Sequence, residues 1–162
     1  MPEKIKQKIE DVISSTLRGD VLKNALDFIS WLKENKMNPS WISINSWKIR
    51  YKNKGIGNIR IYSESVNHKL PIDSWNLASV DLDHNAADDI FDNKFKEIIW
   101  SNVRHCVGCG KCAPGKDKVI FGKEFSGVCC IWLSIVNPDM KTLACVKMLI
   151  EHRKAAISNQ TA

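Results

Sequence analysis

The spacing of apolar positions changes along the chain from a helical period to a two-residue period and back, and these changes predict its elements. Residues 3–17 and residues 20–37 both place apolar side chains on one helix face and charged side chains on the other. Asn38 and Pro39 follow as a helix-stopping pair. The sequence therefore predicts two successive amphipathic helices within residues 1–37.

Strict alternation of apolar and polar residues begins after this helical pair and predicts a β-hairpin. Its first strand is expected at Ser46–Tyr51 and its second at residues 58–62, joined by a turn at residues 54–57. Residues 74–82 are expected to form a third strand, antiparallel to the second. The first part of the sheet is thus predicted to be antiparallel.

The second half of the chain predicts a helix, a cysteine-rich loop, two strands and a last helix. A helix is expected at residues 85–103, because its first residue is a suitable N-cap and apolar positions follow at helical spacing. A short strand is expected at residues 119–121, and a strand that is apolar on both faces at residues 127–136. Asn137-Pro138 is expected to open the final helix.

This order of elements, α-α-β-β-β-α-loop-β-β-α, predicts an α+β domain with a mainly antiparallel sheet of about five strands. A chain of 162 residues is the size of one domain. Within it we expect a helical pair at residues 1–37, an α+β body at residues 46–157 and a flexible tail at residues 158–162.

The hydropathy of the chain bears on where the protein works. No stretch approaches the roughly 20 uninterrupted apolar residues that a membrane span requires. The N-terminus alternates apolar with charged residues and lacks the apolar run of a signal peptide. We therefore expect a cytoplasmic protein with no membrane partner.

The net charge of +6 leaves nucleic acid open as a partner. Lys48, Arg50, Arg60 and Tyr62 are predicted to share the outer face of the hairpin. A cationic face with an aromatic residue is typical of proteins that bind single-stranded nucleic acid. The same residues are equally typical of the solvated face of an antiparallel sheet, and we favour that interpretation.

The densest chemistry of the chain is a cysteine cluster. Cys106, Cys109 and Cys112 follow one another at two-residue spacing, with glycines between them and a Pro-Gly pair after them. Cys-x-x-Cys in a glycine-containing turn supplies thiolates at the roughly 2.3 Å distance that zinc requires. Because the chain has the features of a cytoplasmic protein, its six cysteines favour metal chemistry over structural disulfides.

A closed zinc site needs a fourth ligand, and several residues are candidates. Cys129 and Cys130 are adjacent on the predicted central strand, and His105 and Cys145 are further candidates. Neighbouring residues of a strand point to opposite faces, so we expect at most one of the two adjacent cysteines to reach the loop. The sequence thus predicts a non-catalytic zinc site of Cys106, Cys109 and Cys112, completed by Cys129 or Cys130.

Two alternatives stay open. The cysteine spacing also resembles that of an iron–sulfur protein, although the run lacks the fourth cysteine and proline of a ferredoxin. A thiol redox role for the same loop is disfavoured, because the loop is predicted to follow a helix C-terminus, whereas reactive thiols usually lie at a helix N-terminus. Alternatively, the cysteines are free and the six tryptophans line a sheet that binds a small-molecule ligand, as in a sensor module.

Four short motifs carry a resemblance to a known group of proteins: 47–51 (WKIRY), 106–115 (CVGCGKCAPG), 121–125 (FGKEF) and 137–139 (NPD). From Trp47 onward the chain resembles a family of uncharacterised bacterial proteins, mostly from anaerobic Firmicutes. This resemblance implies a bacterial cytoplasmic protein and no particular activity. More loosely, the order of helices and strands is similar to small-molecule-binding domains of effector-sensing regulators.

Overall fold

A computed structural model of the protein describes residues 5–63, 71–79, 82, 84 and 89–162. In this part of the chain four helices accompany one antiparallel sheet of seven strands, so the predicted α+β class and mainly antiparallel sheet are confirmed. The sheet has two strands more than the five that we expected. Both are short, Ser40–Ser43 and Val103–His105, and both lie at the ends of the strand order.

The bounds of the elements are as follows. The helices are α1 (Ile9–Thr16), α2 (Gly19–Glu34), α3 (Asn93–Trp100) and α4 (Met140–Gln160). The strands are β1 (Ser40–Ser43), β2 (Ser46–Tyr51), β3 (Lys54–Tyr62), β4 (Ser74–Ser79), β5 (Val103–His105), β6 (Lys116–Ile120) and β7 (Lys123–Val136). The sheet order is β1-β2-β3-β4-β7-β5, and β6 also pairs with β7.

One face of the sheet is apolar. A row of residues in register crosses four strands on this face and consists of Trp47, Ile59, Leu77 and Ile135. All four side chains are buried in the same core cluster as the apolar stripes of the helices. Burial of large apolar side chains contributes about 1.5–3 kcal/mol each, so this face is the main source of stability.

The first hairpin turn lies earlier than predicted. It is formed by Lys52 and Asn53, both with positive φ, as a two-residue β-hairpin turn requires, while residues 54–57 belong to β3. The glycines that suggested a turn lie within β3 instead, and one of them allows a close contact with β4. A Cβ on Gly57 would lie 2.6 Å from the carbonyl oxygen of Ala78, so only glycine allows this approach of β3 to β4.

The third helix is shorter than predicted. Residues 89–92 are not helical, and α3 begins at Asn93, where the Asp92 carboxylate accepts a 2.8 Å hydrogen bond from the backbone N–H of Phe95. This aspartate is the N-cap, while the predicted cap, Asn85, lies outside the described residues. The helix ends at Trp100, and β5 follows before the cysteines. The cysteine loop therefore follows a strand. We had expected it to follow a helix C-terminus, and that prediction is wrong.

The last helix begins two residues later than predicted. Asp139 is its N-cap and accepts a 2.8 Å hydrogen bond from the backbone N–H of Thr142. Asn137 has a positive φ of 45° and instead accepts a hydrogen bond from the backbone N–H of Trp75, at 2.9 Å. The helix continues to Gln160, beyond the start of the predicted tail at residue 158.

Candidate metal centre

The cysteine loop, residues 106–115, connects β5 to β6 and folds back onto β7. The backbone N–H of Cys106 donates to the carbonyl oxygen of Gly127 at 2.8 Å, which fixes the start of the loop. The backbone N–H of Gly115 donates to the carbonyl oxygen of Cys112 at 2.6 Å, which closes its last turn. The side of the loop that carries Cys112 thus faces the strand that carries Cys129 and Cys130.

Gly115 allows the end of the loop to pack on the strand. Its φ is +86°, a conformation that residues with a Cβ rarely adopt. A Cβ at this position would lie 2.6 Å from the backbone of Gly127 and 2.9 Å from the Cβ of Cys106. The close contact between the two ends of the loop and β7 therefore depends on a glycine here.

Three cysteine sulfurs converge between the loop and the sheet. The Sγ atoms of Cys112, Cys129 and Cys130 all lie within 4.8 Å of one another, and those of Cys112 and Cys129 are 3.9 Å apart. Four sulfurs at about 2.3 Å from a tetrahedral zinc ion are about 3.8 Å from each other. The separation of this pair is therefore already that of two ligands on one ion.

Both adjacent cysteines of β7 take part in this group, so the prediction that at most one would reach the loop is wrong. The pairing of β5 with β7 is irregular. Val103 pairs with Leu133 and His105 pairs with Val128, so an advance of two residues along β5 corresponds to five residues along β7. Such an irregularity interrupts the alternation of side chains between the two faces of a strand. Cys129 is buried and Cys130 exposed, yet the sulfurs of both lie within 4.8 Å of the Cys112 sulfur.

The pKa values of Cys112 and Cys129 are shifted in opposite directions. The backbone N–H of Cys130 donates to the Cys112 sulfur at 3.4 Å and is the main cause that lowers the Cys112 pKa from 9.0 to about 7. Hydrogen bonds with the thiols of Cys130, Cys129 and Cys106 lower it further. Burial raises the pKa of Cys129. One thiolate is thus available near neutral pH, and a bound cation would displace the remaining protons.

The remaining two cysteines of the predicted site lie outside the group of three sulfurs. Cys106 is half-buried, its sulfur accepts from the backbone N–H of Gly108 at 3.4 Å, and its thiol contributes to the lowered pKa of Cys112. Cys109 is exposed at the outer end of the loop. Of the two, only Cys106 affects the pKa of a member of the group.

The other candidate ligands lie elsewhere. The Nδ1 atom of His105 is 3.0 Å from the carbonyl oxygen of Ser126, and Cys145 is buried on α4. Among the tryptophans proposed to line a ligand site, Trp47, Trp75 and Trp132 are buried in the core. These three therefore stabilise the fold.

No family model, curated protein or solved structure matches the chain. The resemblance to bacterial proteins thus stays a prediction. Among the helices that the structure describes, none combines the length and the apolar character needed to cross a bilayer. The function has to be argued from the site itself.

Proposed function

We propose that this chain is a zinc-binding protein in which Cys112, Cys129 and Cys130 hold the ion and Cys106 supplies the fourth thiolate. The observation that carries the proposal is the convergence of three sulfurs within 4.8 Å, from a loop and from the long strand β7. Tetrahedral thiolate sites are typical of zinc. The cytoplasmic location expected from the sequence would keep these thiols reduced.

The proposed role of the ion is structural. Four protein thiolates close a tetrahedral site and leave no coordination position for a substrate or a water molecule. Two ligands would come from the loop, residues 106–115, and two from β7, so the ion would hold the loop on the sheet. This supports a non-catalytic protein, as the sequence predicts.

An iron–sulfur cluster is the competing proposal for the same cysteines. In a cubane cluster each thiolate binds a different iron, so the cysteine sulfurs stand further apart than around a single ion. The 3.9 Å separation between the sulfurs of Cys112 and Cys129 therefore favours one ion over a cluster.

Metal analysis of the purified chain, prepared without oxygen, tests the proposal. We expect about one zinc per chain in the wild type, and loss of zinc in C112S, C129S and C130S. C145S is the matched control, because Cys145 is a buried cysteine on α4 and should not affect the zinc content. Iron with inorganic sulfide in place of zinc would overturn the proposal in favour of the cluster, and absence of metal after reconstitution would reject both.

A further inference from the structure

A cleft lies on the face of the sheet opposite the apolar core. The residues on this face alternate along each strand with the buried apolar residues, and most of them are polar. On β3 and β4, for example, Asn58 pairs with Ala78 and Arg60 pairs with Asn76. They form the floor of a cleft of about 300 Å³, a volume at the lower end of the range for small-molecule sites. This cleft contains none of the cysteines, so the inference is independent of the proposed zinc site.

Two arginines line the cleft from different sides. Arg60 belongs to β3 and Arg104 to β5, which are three strand spacings, or about 14 Å, apart. Strands β4 and β7 lie between them and form the floor. Among the described residues that line the cleft none is acidic, and neither arginine forms an ion pair with another described residue. The cleft therefore presents two positive charges that the described protein does not neutralise.

The floor of the cleft is polar and held in place by hydrogen bonds. Asn76 is 5 % exposed on a central strand, where an asparagine is disfavoured unless its amide is satisfied. Its Oδ1 accepts from the Ser134 hydroxyl at 3.0 Å, and its Nδ2 donates to the Tyr62 hydroxyl at 3.4 Å. The Arg60 guanidinium lies 5.9 Å from the ring centroid of Tyr62. An ordered polar network thus supports one of the two cations.

We propose that this cleft binds a small molecule that carries an oxyanion, a carboxylate or a phosphate, between Arg60 and Arg104. Guanidinium groups bind both anions through paired hydrogen bonds. The uncharged part of such a ligand would contact the apolar side chains at the rim and floor, Ile42, Ala78 and Ile131. The volume of the cleft suits a compact ligand better than a polymer.

Binding to the purified full chain tests this proposal with two probes, inorganic phosphate and benzoate. We expect at least one of them to shift the side-chain amide resonance of Asn76 in a saturable manner, and the tighter probe identifies the anion class. R60Q and R104Q should each weaken binding by about tenfold or more. R50Q is the matched control, because Arg50 is an exposed arginine on β2 that does not line the cleft.

Three results would overturn the proposal. The first is the absence of a saturable shift of the Asn76 amide with both probes in the wild type, a result that does not depend on how the variants fold. The second is an equal loss of affinity in R50Q and R60Q, which would show general attraction to a basic surface. The third is a single-stranded oligonucleotide that binds far more tightly than either probe and loses affinity in R50Q, which would assign this face to nucleic acid.

Discussion

The apolar face of the sheet and the cysteine loop differ in how they are held. On the apolar face, large side chains such as Trp47, Trp75 and Phe28 have 0–1 % of their surface exposed. In the loop, by contrast, Val107 is 73 % exposed and Cys109 is also exposed. The loop contacts the sheet mainly through the backbone of Cys106, the packing at Gly115 and the three converging sulfurs.

This difference shows what a metal ion would contribute. The apolar face is stable through burial alone, so its stability should not depend on metal. A loop with few buried apolar contacts needs another source of free energy to keep one conformation. We therefore expect the two regions to respond to different perturbations, and the following predictions separate them.

The largest effect is expected from F28A, in the core that covers the apolar face of the sheet. Phe28 of α2 is fully buried and lies 5.9 Å from Trp75, measured between ring centroids. Its removal leaves a cavity, and we expect the free energy of unfolding to fall by about 3–5 kcal/mol. Denaturant unfolding should give this loss with and without zinc. A loss that appears only with zinc would contradict the separation of the two regions.

The next effect is expected from the metal ligands. Zinc at about 100 times its dissociation constant should raise the melting temperature of the wild type by about 5–10 °C and leave that of C112S unchanged. Without metal and at about pH 7, the two proteins should melt within about 2 °C of each other, since the sulfur contacts alone are weak. A stabilisation of C112S by zinc equal to that of the wild type would show that this thiol is not a ligand.

A smaller effect is expected at the glycines of the loop, and here the chain offers a matched pair. Gly115 and Gly110 both have a φ of +86°, but a Cβ meets other atoms only at Gly115. We expect G110A to lower the free energy of unfolding by about 1 kcal/mol, and G115A by about twice as much or more. G115A should also weaken zinc binding. Equal losses in the two variants would mean that the packing of the loop on β7 contributes nothing.

The smallest effect is expected from pH in the metal-free protein. The Cys112 pKa falls from 9.0 to about 7 on folding, so between these values the unfolded chain binds more protons than the folded protein. The free energy of unfolding should therefore rise as the pH increases from about 7 to 9. The raised pKa of Cys129 should reverse this trend above pH 9. C112S should lack the rise, and its presence in C112S would assign it to another group.

Local patterns were sufficient to predict much of the fold. Ser46–Tyr51 forms a strand with the predicted bounds, because alternation and β-propensity act within the strand itself. The short strands Ser40–Ser43 and Val103–His105 were not predicted, because each owes its conformation to pairing with a neighbour. Pairing between distant segments leaves little trace in a short sequence window.

The candidate site was predicted only in part, again because pairing between distant segments leaves little trace in the sequence. The spacing in the loop and the adjacent pair on the strand identified the cysteines, including the three that converge. The position of both Cys129 and Cys130 beside Cys112 depends on the irregular pairing of β5 with β7, which no local pattern shows. The adjacent pair marked both residues as candidates, but the alternation of side chains along a strand led us to expect only one of them at the loop.

The number of sulfur ligands is the most direct test of the account, and X-ray absorption spectroscopy at the zinc edge measures it. For the zinc-loaded wild type we predict four sulfurs at about 2.3 Å. C106S should reduce the number to three, while C109S should leave it at four. Two or fewer sulfurs around the zinc of the wild type, with nitrogen or oxygen in their place, would contradict the proposed site.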